Sequence, residues 1–206
     1  MSIHKAHWET IYKTKDHKKV GWYQESPNTS LKLLSKIHYQ PEQSIIDVGC
    51  GSSLLAANLV KLGFKNITLV DLSSEALASI KNHLGDKAEI PLYLCQDISK
   101  TSFNKTFDIW HDRAVFHFLT DAQDRTHYMT NLANSLSKNG RAIIGTFSLN
   151  GPNSCSGLDI VQYDEEKMQA ELTGDLEIEY SEINIHVMPS GDEQEYIYFI
   201  IRHNNT

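Results

Sequence analysis

Asp47, Asp71 and Asp97 each stand at or near the end of an apolar run, and a glycine turn follows the first of them. Ser44-Ile45-Ile46 leads into Asp47-Val48-Gly49-Cys50-Gly51-Ser52-Ser53. Two glycines so spaced permit unusual backbone angles and bring a ligand close to main-chain amides. A dinucleotide pyrophosphate at a GxGxxG turn requires Gly or Ala at the last position and no carboxylate beside it. Here Leu54 fills that position, and Asp47 precedes the first glycine by two residues. An acid there suits a ligand carrying a cationic amine. Asp71 lies 20 residues past Gly51, the spacing at which an acid reaches ribose hydroxyls. It could equally serve the N-terminus of the helix behind it. Asp97 could accept from an adenine amino group, with Ile98 packing on the ring, or act as a loop cap.

The elements that must position these acids follow from periodicity. Apolar runs at Ser44–Val48, Ile67–Val70, Pro91–Cys95, Phe107–Asp112 and Arg141–Phe147 read as strands. Between them, Leu55, Leu59 and Leu62, then Leu77, Ile80 and Leu84, recur at helical spacing. Ser26-Pro27 looks like the start of an earlier helix, carrying Leu31, Leu34 and Ile37. Thr120 with Gln123 resembles a capping box for a helix with Tyr128, Leu132 and Leu136, stopped by Asn139-Gly140. Alternating strands and helices imply a parallel sheet covered on both faces. The C-terminus breaks the rhythm: Leu176–Val187 and Glu195–Arg202 are joined by Pro189-Ser190-Gly191-Asp192. So short a turn joins antiparallel neighbours only, because a parallel crossover needs about a dozen residues or more. The expected fold is therefore α/β and Rossmann-like: a mostly parallel seven-stranded sheet, helices on both faces, with one antiparallel strand from a C-terminal hairpin. It forms one domain over 1–206, with an N-terminal flap (1–25), a ligand-binding core (26–150), and a substrate loop with the hairpin (151–206).

Composition narrows the class. A formal charge of −7 argues against sequence-blind nucleic-acid binding, which needs cationic surface. The basic cluster Lys13–Lys19 is interrupted by Asp16 and His17 and reads as a solvated face. Cys50, Cys95 and Cys155 form no CxxC pair, which suits a reducing cytoplasm and suggests no zinc or dithiol centre. No apolar run approaches bilayer-spanning length, and the polar start lacks the apolar stretch of a signal peptide. A cytoplasmic protein with no membrane partner is expected.

The run Ile45 to Gly51, then Val70-Asp71-Leu72-Ser73, then Gln96-Asp97-Ile98, resembles the successive cofactor motifs of class I S-adenosylmethionine-dependent methyltransferases. Trp110-His111-Asp112-Arg113-Ala114-Val115-Phe116-His117-Phe118-Leu119, Gly21-Trp22-Tyr23-Gln24 and Cys155-Ser156-Gly157-Leu158 are similar to blocks in a group of small members. The resemblance implies S-adenosylmethionine as donor and S-adenosylhomocysteine as product. It places Asp47 and Gly49-Cys50-Gly51 at the methionine end, Asp71 with Leu72 at the ribose, and Asp97 with Ile98 at the adenine. Trp22, Tyr23 and His111 join that cofactor-binding set. Ser52-Ser53 stands where many relatives have a further glycine; main-chain amides make the contact, so tolerance is expected.

Methyl transfer from a sulfonium mainly requires alignment and exclusion of water. A base matters only if the nucleophile arrives protonated. His117 is the candidate base, since its ordinary pKa lies near neutrality; the alternative is a packing role. Asp112 and Arg113 either orient the methionine carboxylate and amine or form a structural pair. Metal ligation by His111, Asp112 and His117 is not expected, because strand neighbours point to opposite faces. Trp8, Tyr12, Trp22 and Tyr23 form either a flap whose aromatic faces attract a cation or a satellite apolar cluster. The loop Asn150–Leu158 is expected to be a substrate lid. A small-molecule acceptor methylated at O, N or S leads, since no separate recognition domain fits in the chain; a protein side chain is the alternative. An NAD(P)-dependent oxidoreductase is disfavoured by Asp47, Leu54, the hairpin and the lack of a Tyr-x-x-x-Lys pair. A non-catalytic module that kept the fold is the remaining reading.

Overall fold

The computed structural model describes residues 3–204; Met1, Ser2, Asn205 and Thr206, which the expected domain bounds include, lie outside the described residues. Helix α1 (Ile3–Thr14) opens the chain and α2 (Asn28–Lys36) follows. Then come β1 (Ser44–Val48), α3 (Leu55–Lys61), β2 (Asn66–Asp71), α4 (Ser74–Leu84) and β3 (Leu92–Cys95). The second half holds β4 (Phe107–Arg113), α5 (Ala122–Ser135), β5 (Leu136–Phe147), α6 (Glu165–Glu171), β6 (Leu176–Val187) and β7 (Glu193–His203).

The seven strands lie in the order β3-β2-β1-β4-β5-β7-β6. Only β7 runs against its neighbours, pairing antiparallel with both β5 and β6. The expected sheet and its C-terminal hairpin are therefore present. Strand alternation divides the core. Ile45, Leu69, Ile109 and Ile143 pack with Leu33, Leu59 and Ile80 of α2, α3 and α4. Ile46, Val70, Trp110 and Ile144 face the other way, onto Tyr128 and Leu132 of α5 and Met168 of α6. The parallel register sets Asp47 beside His111, and Val48 beside Val70 and Asp112. The acids named above thus converge at one edge, where a strand order that reverses at β1 and β4 opens a crevice.

Several boundaries differ from the sequence reading. The charged, aromatic start, to which the sequence reading gave no secondary structure, is helical over Ile3–Thr14. The cap of α5 is Asp121, whose side chain accepts from the Gln123 N–H, not Thr120. That helix ends at Ser135, and the chain enters β5 at once, with Leu136 opposite Phe107. Asn139-Gly140 therefore lies inside the strand. A Cβ on Gly140 would sit 3.0 Å from the Asp108 carbonyl oxygen, so this glycine serves close packing and not a helix stop. The loop after β5 folds into a two-residue hairpin, Ser154–Cys155 against Leu158–Asp159.

Candidate functional site

A cleft of about 260 Å³ crosses the carboxyl ends of β1, β2 and β4. Gly49 and Gly51 hold φ of +59° and +55°. A Cβ would come within 2.0 Å of Val115 Cγ2 at the first and 2.5 Å of the Tyr12 hydroxyl at the second. Conformation and space both demand glycine here. The Gly51 N–H donates to Asp71 Oδ2, and the Ser73 N–H to Asp71 Oδ1, each at 2.8 Å. One carboxylate thus ties the glycine turn to the approach of α4, whose cap is Ser73. Burial pushes Asp71 up to about 6 against those two backbone donors. Leu72, Asp97 and Ile98 line the same cleft. Asp97 Oδ1 accepts from both the N–H and the hydroxyl of Ser99, so Asp97 is a cap and a wall residue at once.

A second pocket lies on the other side of the turn, lined by Tyr23, Ser30, Asp47, Cys50, His111 and Arg113 among others. His111 Nδ1 is 2.7 Å from Asp47 Oδ1, and its Nε2 is 2.9 Å from the Ser30 hydroxyl. The imidazole orients Asp47 while Asp47 Oδ2, buried, has no partner. Arg113 Nε donates to the Tyr198 hydroxyl at 3.1 Å and Nη1 to the Trp22 carbonyl at 3.0 Å. Its guanidinium lies over the Tyr196 ring, 5.0 Å from the centroid, and Nη2 is buried without a partner. Leaving such groups unpaired is costly. An acceptor on one side and a donor on the other match the two ends of an amino-acid zwitterion. Tyr12, Trp22, Gly49 and Arg113 line both pockets, so one elongated ligand can pass from one to the other beside the glycine turn.

Helix α1 roofs the cleft. Trp8 lies 5.6 Å from Trp22, 5.2 Å from Phe118 and 6.2 Å from Tyr12 between ring centroids. Glu9 fastens the helix: its carboxylate accepts from the Ser74 N–H and hydroxyl and from the Ser73 hydroxyl, all at 2.9 Å. Burial acts to raise the Glu9 pKa, and the hydrogen bonds from Ser74, Ser73 and Glu75 bring it below the ordinary value. A carboxylate at the first turn of α4 also complements that helix's dipole. Glu9 had no signal in the sequence, since its partners lie 64 to 66 residues away. Tyr23 leaves the aromatic group: it packs on His17, 6.2 Å between centroids, and lines only the second pocket.

Two expected catalytic residues fall elsewhere. His117 is fully buried behind Phe118, stacked 4.6 Å from Phe147, with Nδ1 accepting from the Phe147 N–H at 3.3 Å. Burial, reinforced by the Arg113 charge, pushes it down to about 3. It lines neither pocket, so the base assignment is corrected to a packing role. Asp112 is also fully buried and accepts from Val115 N–H, Phe116 N–H and the Tyr128 hydroxyl. It holds the turn behind β4, makes no ion pair with Arg113 and lines neither pocket. Of the three, Arg113 alone stays at the site. Cys155, from the hairpin after β5, lines the cleft wall. Among the described residues no group of three His, Cys, Asp or Glu could hold a metal ion.

Residues 46–144 match the family model of the methyltransferase domain. Over 124 residues the chain is 25% identical to the eEF1A lysine and N-terminal methyltransferase of Bos taurus, covering 58% of this chain and 17% of that protein. Over 132 residues it is 25% identical to the ubiquinone biosynthesis O-methyltransferase of Rickettsia felis, covering 64% of this chain and 52% of that protein. The chain therefore spans well under two thirds of the length of either relative. The solved structure of an S-adenosylmethionine-dependent methyltransferase from Anabaena variabilis superposes with a TM-score of 0.77 at 16% identity, over 98% of this chain and 93% of that one. The fold is shared across the whole described chain.

Proposed function

We propose that the chain carries a class I methyltransferase domain and transfers a methyl group from S-adenosylmethionine to O, N or S of a small-molecule acceptor, a reading supported by the family match over residues 46–144 and the shared fold. The observation that carries the donor is the pair of buried, opposite-signed atoms without partners, Asp47 Oδ2 and Arg113 Nη2. They suit the amine and carboxylate of the methionine end. Asp71 and Leu72 would then take the ribose, and Asp97 with Ile98 the adenine, in the cleft beyond Gly49. When bound, the cofactor supplies a methyl group already activated on a sulfonium. The chain's own residues bind, orient and exclude water, which is most of what such a displacement requires. Trp8, Tyr12 and Trp22 cover the middle of this path with faces that attract a cation.

The small acceptor is supported by that roof. Helix α1, fastened through Glu9, roofs the middle of the cleft, which suits a compact molecule better than a folded surface. The second reading, a protein side chain, is favoured by the similarity to the bovine protein-methylating relative. The acidic balance of −7 supports either over nucleic acid.

Calorimetric titration with S-adenosylhomocysteine, with NAD in parallel, tests the donor. Micromolar binding of the first and none of the second is expected; the reverse overturns it. Transfer of labelled methyl to a panel of small nucleophiles, set beside a protein extract, tests the acceptor. Label found only in protein would replace the small-molecule reading with the second one.

A further inference from the structure

Strand β6 is one edge of the sheet, and its two halves are built differently. In the first half Glu177 pairs with Arg202 and Glu179 with Arg141, and the ladder is irregular between Ile178 and Tyr180. Charge and irregularity are the devices by which natural edges avoid pairing with another chain. Helix α6 also reaches this half, through contact between Glu165 and the Ser181 hydroxyl. The second half, Ile183-Asn184-Ile185-His186-Val187, has none of these. Ile183, Ile185 and Val187 are 53%, 46% and 58% exposed on a single face. The opposite face is occupied: His186 Nε2 lies 2.7 Å from the Gly21 carbonyl, and Glu182 meets Lys32 of α2.

The backbone of the same three residues is open as well. At the hairpin end the Met188 N–H donates to the Asp192 carbonyl, and the register then runs His186–Gln194 and Asn184–Tyr196. Antiparallel ladders alternate, each residue turning both its N–H and its C=O to one side. Met188, His186 and Asn184 therefore turn theirs to β7, and Ile183, Ile185 and Val187 turn theirs to the free edge. Apolar side chains and free hydrogen-bonding groups coincide on one short segment.

We infer that this segment pairs with itself in a second copy of the chain, antiparallel across a two-fold axis at Ile185. The register is what selects a second copy over a foreign strand. About that axis Ile185 meets Ile185, Ile183 meets Val187, Asn184 meets His186, and Glu182 meets Met188. Ile183, Ile185 and Val187 each find an apolar partner, each outward N–H of these three finds an outward C=O, and no acid meets an acid. An axis three residues earlier would set Glu182 against itself, so the pairing is confined to the unguarded half. An isologous contact of this kind closes at two subunits and cannot propagate. It extends the seven strands into a continuous sheet of two copies while leaving the cleft, on the far side of β5 and β7, open.

Sedimentation equilibrium of the whole chain across a concentration series tests the inference. A monomer–dimer equilibrium is expected, and Ile185→Lys, which places two like charges on the axis, should weaken it at least tenfold with an unchanged circular dichroism spectrum. A wild-type chain that stays monomeric at every concentration overturns it. So does an Ile185→Lys chain that dimerises like the wild type, or assembly beyond a dimer. Cross-linking fixes the register on a Cys95→Ser background, because Cys95 is exposed. Paired residues there would lie about 5.5 Å apart between Cα atoms, within the range of about 4.4–6.8 Å that a disulfide spans. Ile185→Cys should then oxidise to a covalent dimer by itself, whereas Ile183→Cys should do so only when mixed with Val187→Cys. Efficient linking of Ile183→Cys alone would refute the axis even if the chain dimerises.

Discussion

Asp112, fully buried, and Arg113, half-buried, are neighbours on β4, and the strand sends them to opposite sides of the sheet. Asp112 enters the α5 side, where two amides and the Tyr128 hydroxyl meet its carboxylate. Arg113 enters the α2 side, where Tyr198, Trp22 and the Tyr196 ring hold the guanidinium but leave Nη2 unmet. His111 and Asp47 repeat the second pattern: the imidazole satisfies one carboxylate oxygen and leaves the other. His117 repeats the first, apart from a single unpartnered Nε2 away from either pocket. A buried polar group closed on its neighbours is architecture. One held rigidly with an atom left over, facing a cavity, is a binding group.

The sharpest way to break that contrast is Arg113→Met. If Nη2 takes the methionine carboxylate, affinity for S-adenosylhomocysteine should fall by about 30-fold or more. That corresponds to the lower end of the roughly 2–5 kcal/mol cost of truncating one partner of a buried charged pair. Calorimetry reads the affinity, and thermal melting checks that the clamp on Trp22 has not collapsed. Unchanged binding by a folded variant would make Arg113 architectural like Asp112. Asp71→Ala is expected to weaken the same ligand by about tenfold or more, worth roughly 1.4 kcal/mol. Asp71 already bonds the Gly51 and Ser73 amides, so Asp71→Asn separates its two duties. The amide keeps the shape, and binding that stays at wild-type strength in it would count against a ribose contact by the carboxylate.

His117→Phe tests the closed side. The phenyl ring can keep the stack on Phe147 but cannot accept from the Phe147 N–H. Leaving that donor unmet should cost stability of about 1–3 kcal/mol. Turnover per folded molecule should stay within about twofold, since His117 touches neither pocket. A large fall in kcat at unchanged melting temperature would restore the imidazole as a base.

How much of this was legible in the sequence follows the same line. β1, β6 and the glycine turn were readable, because a strand bounded by its own turn residues and a glycine at positive φ are local decisions. Asp47, Asp71 and Asp97 were readable because the ends of parallel strands share one edge whatever the loops do. Where His117 points was not, because it depends on the three-residue turn of helix at Phe116–Phe118. That turn follows a chain reversal in which Ala114 takes a φ of +68°. Nor could Ser30 be linked to His111, 81 residues on, or Glu9 to α4. Such contacts are set by packing of the finished layers, and they leave no period or spacing in the chain.

A last contrast lies in how stability varies with pH, and here the two residues of the closed side act in opposite directions. Burial, with the Arg113 charge behind it, lowers His117 from 6.5 to about 3. Between those values the unfolded chain binds the more protons, so stability rises with pH and is lost as pH falls below about 6.5. Burial raises Asp112 from 3.8 to about 7, against the donors on Tyr128 and Val115 and the His111 charge. Between those values the folded chain binds the more protons, so this contribution is present in acid and is lost as pH rises toward 7. In wild-type protein the two slopes oppose each other from about pH 4 to 6.5. Asp112→Asn should leave the histidine slope opposed only by that of Asp71, with melting temperature nearly level from about pH 4 to 6. His117→Phe should leave the aspartate slope exposed, with melting temperature falling over the same range. Asp71, raised to about 6, titrates in both variants and drops out of their difference. For a chain of this size each kcal/mol moves the melting temperature by about 2–4 °C, so the divergence is readily resolved by melting curves across this range. Parallel curves for the two variants would mean that one of these side chains is hydrated in solution and does not belong to the closed side of the sheet.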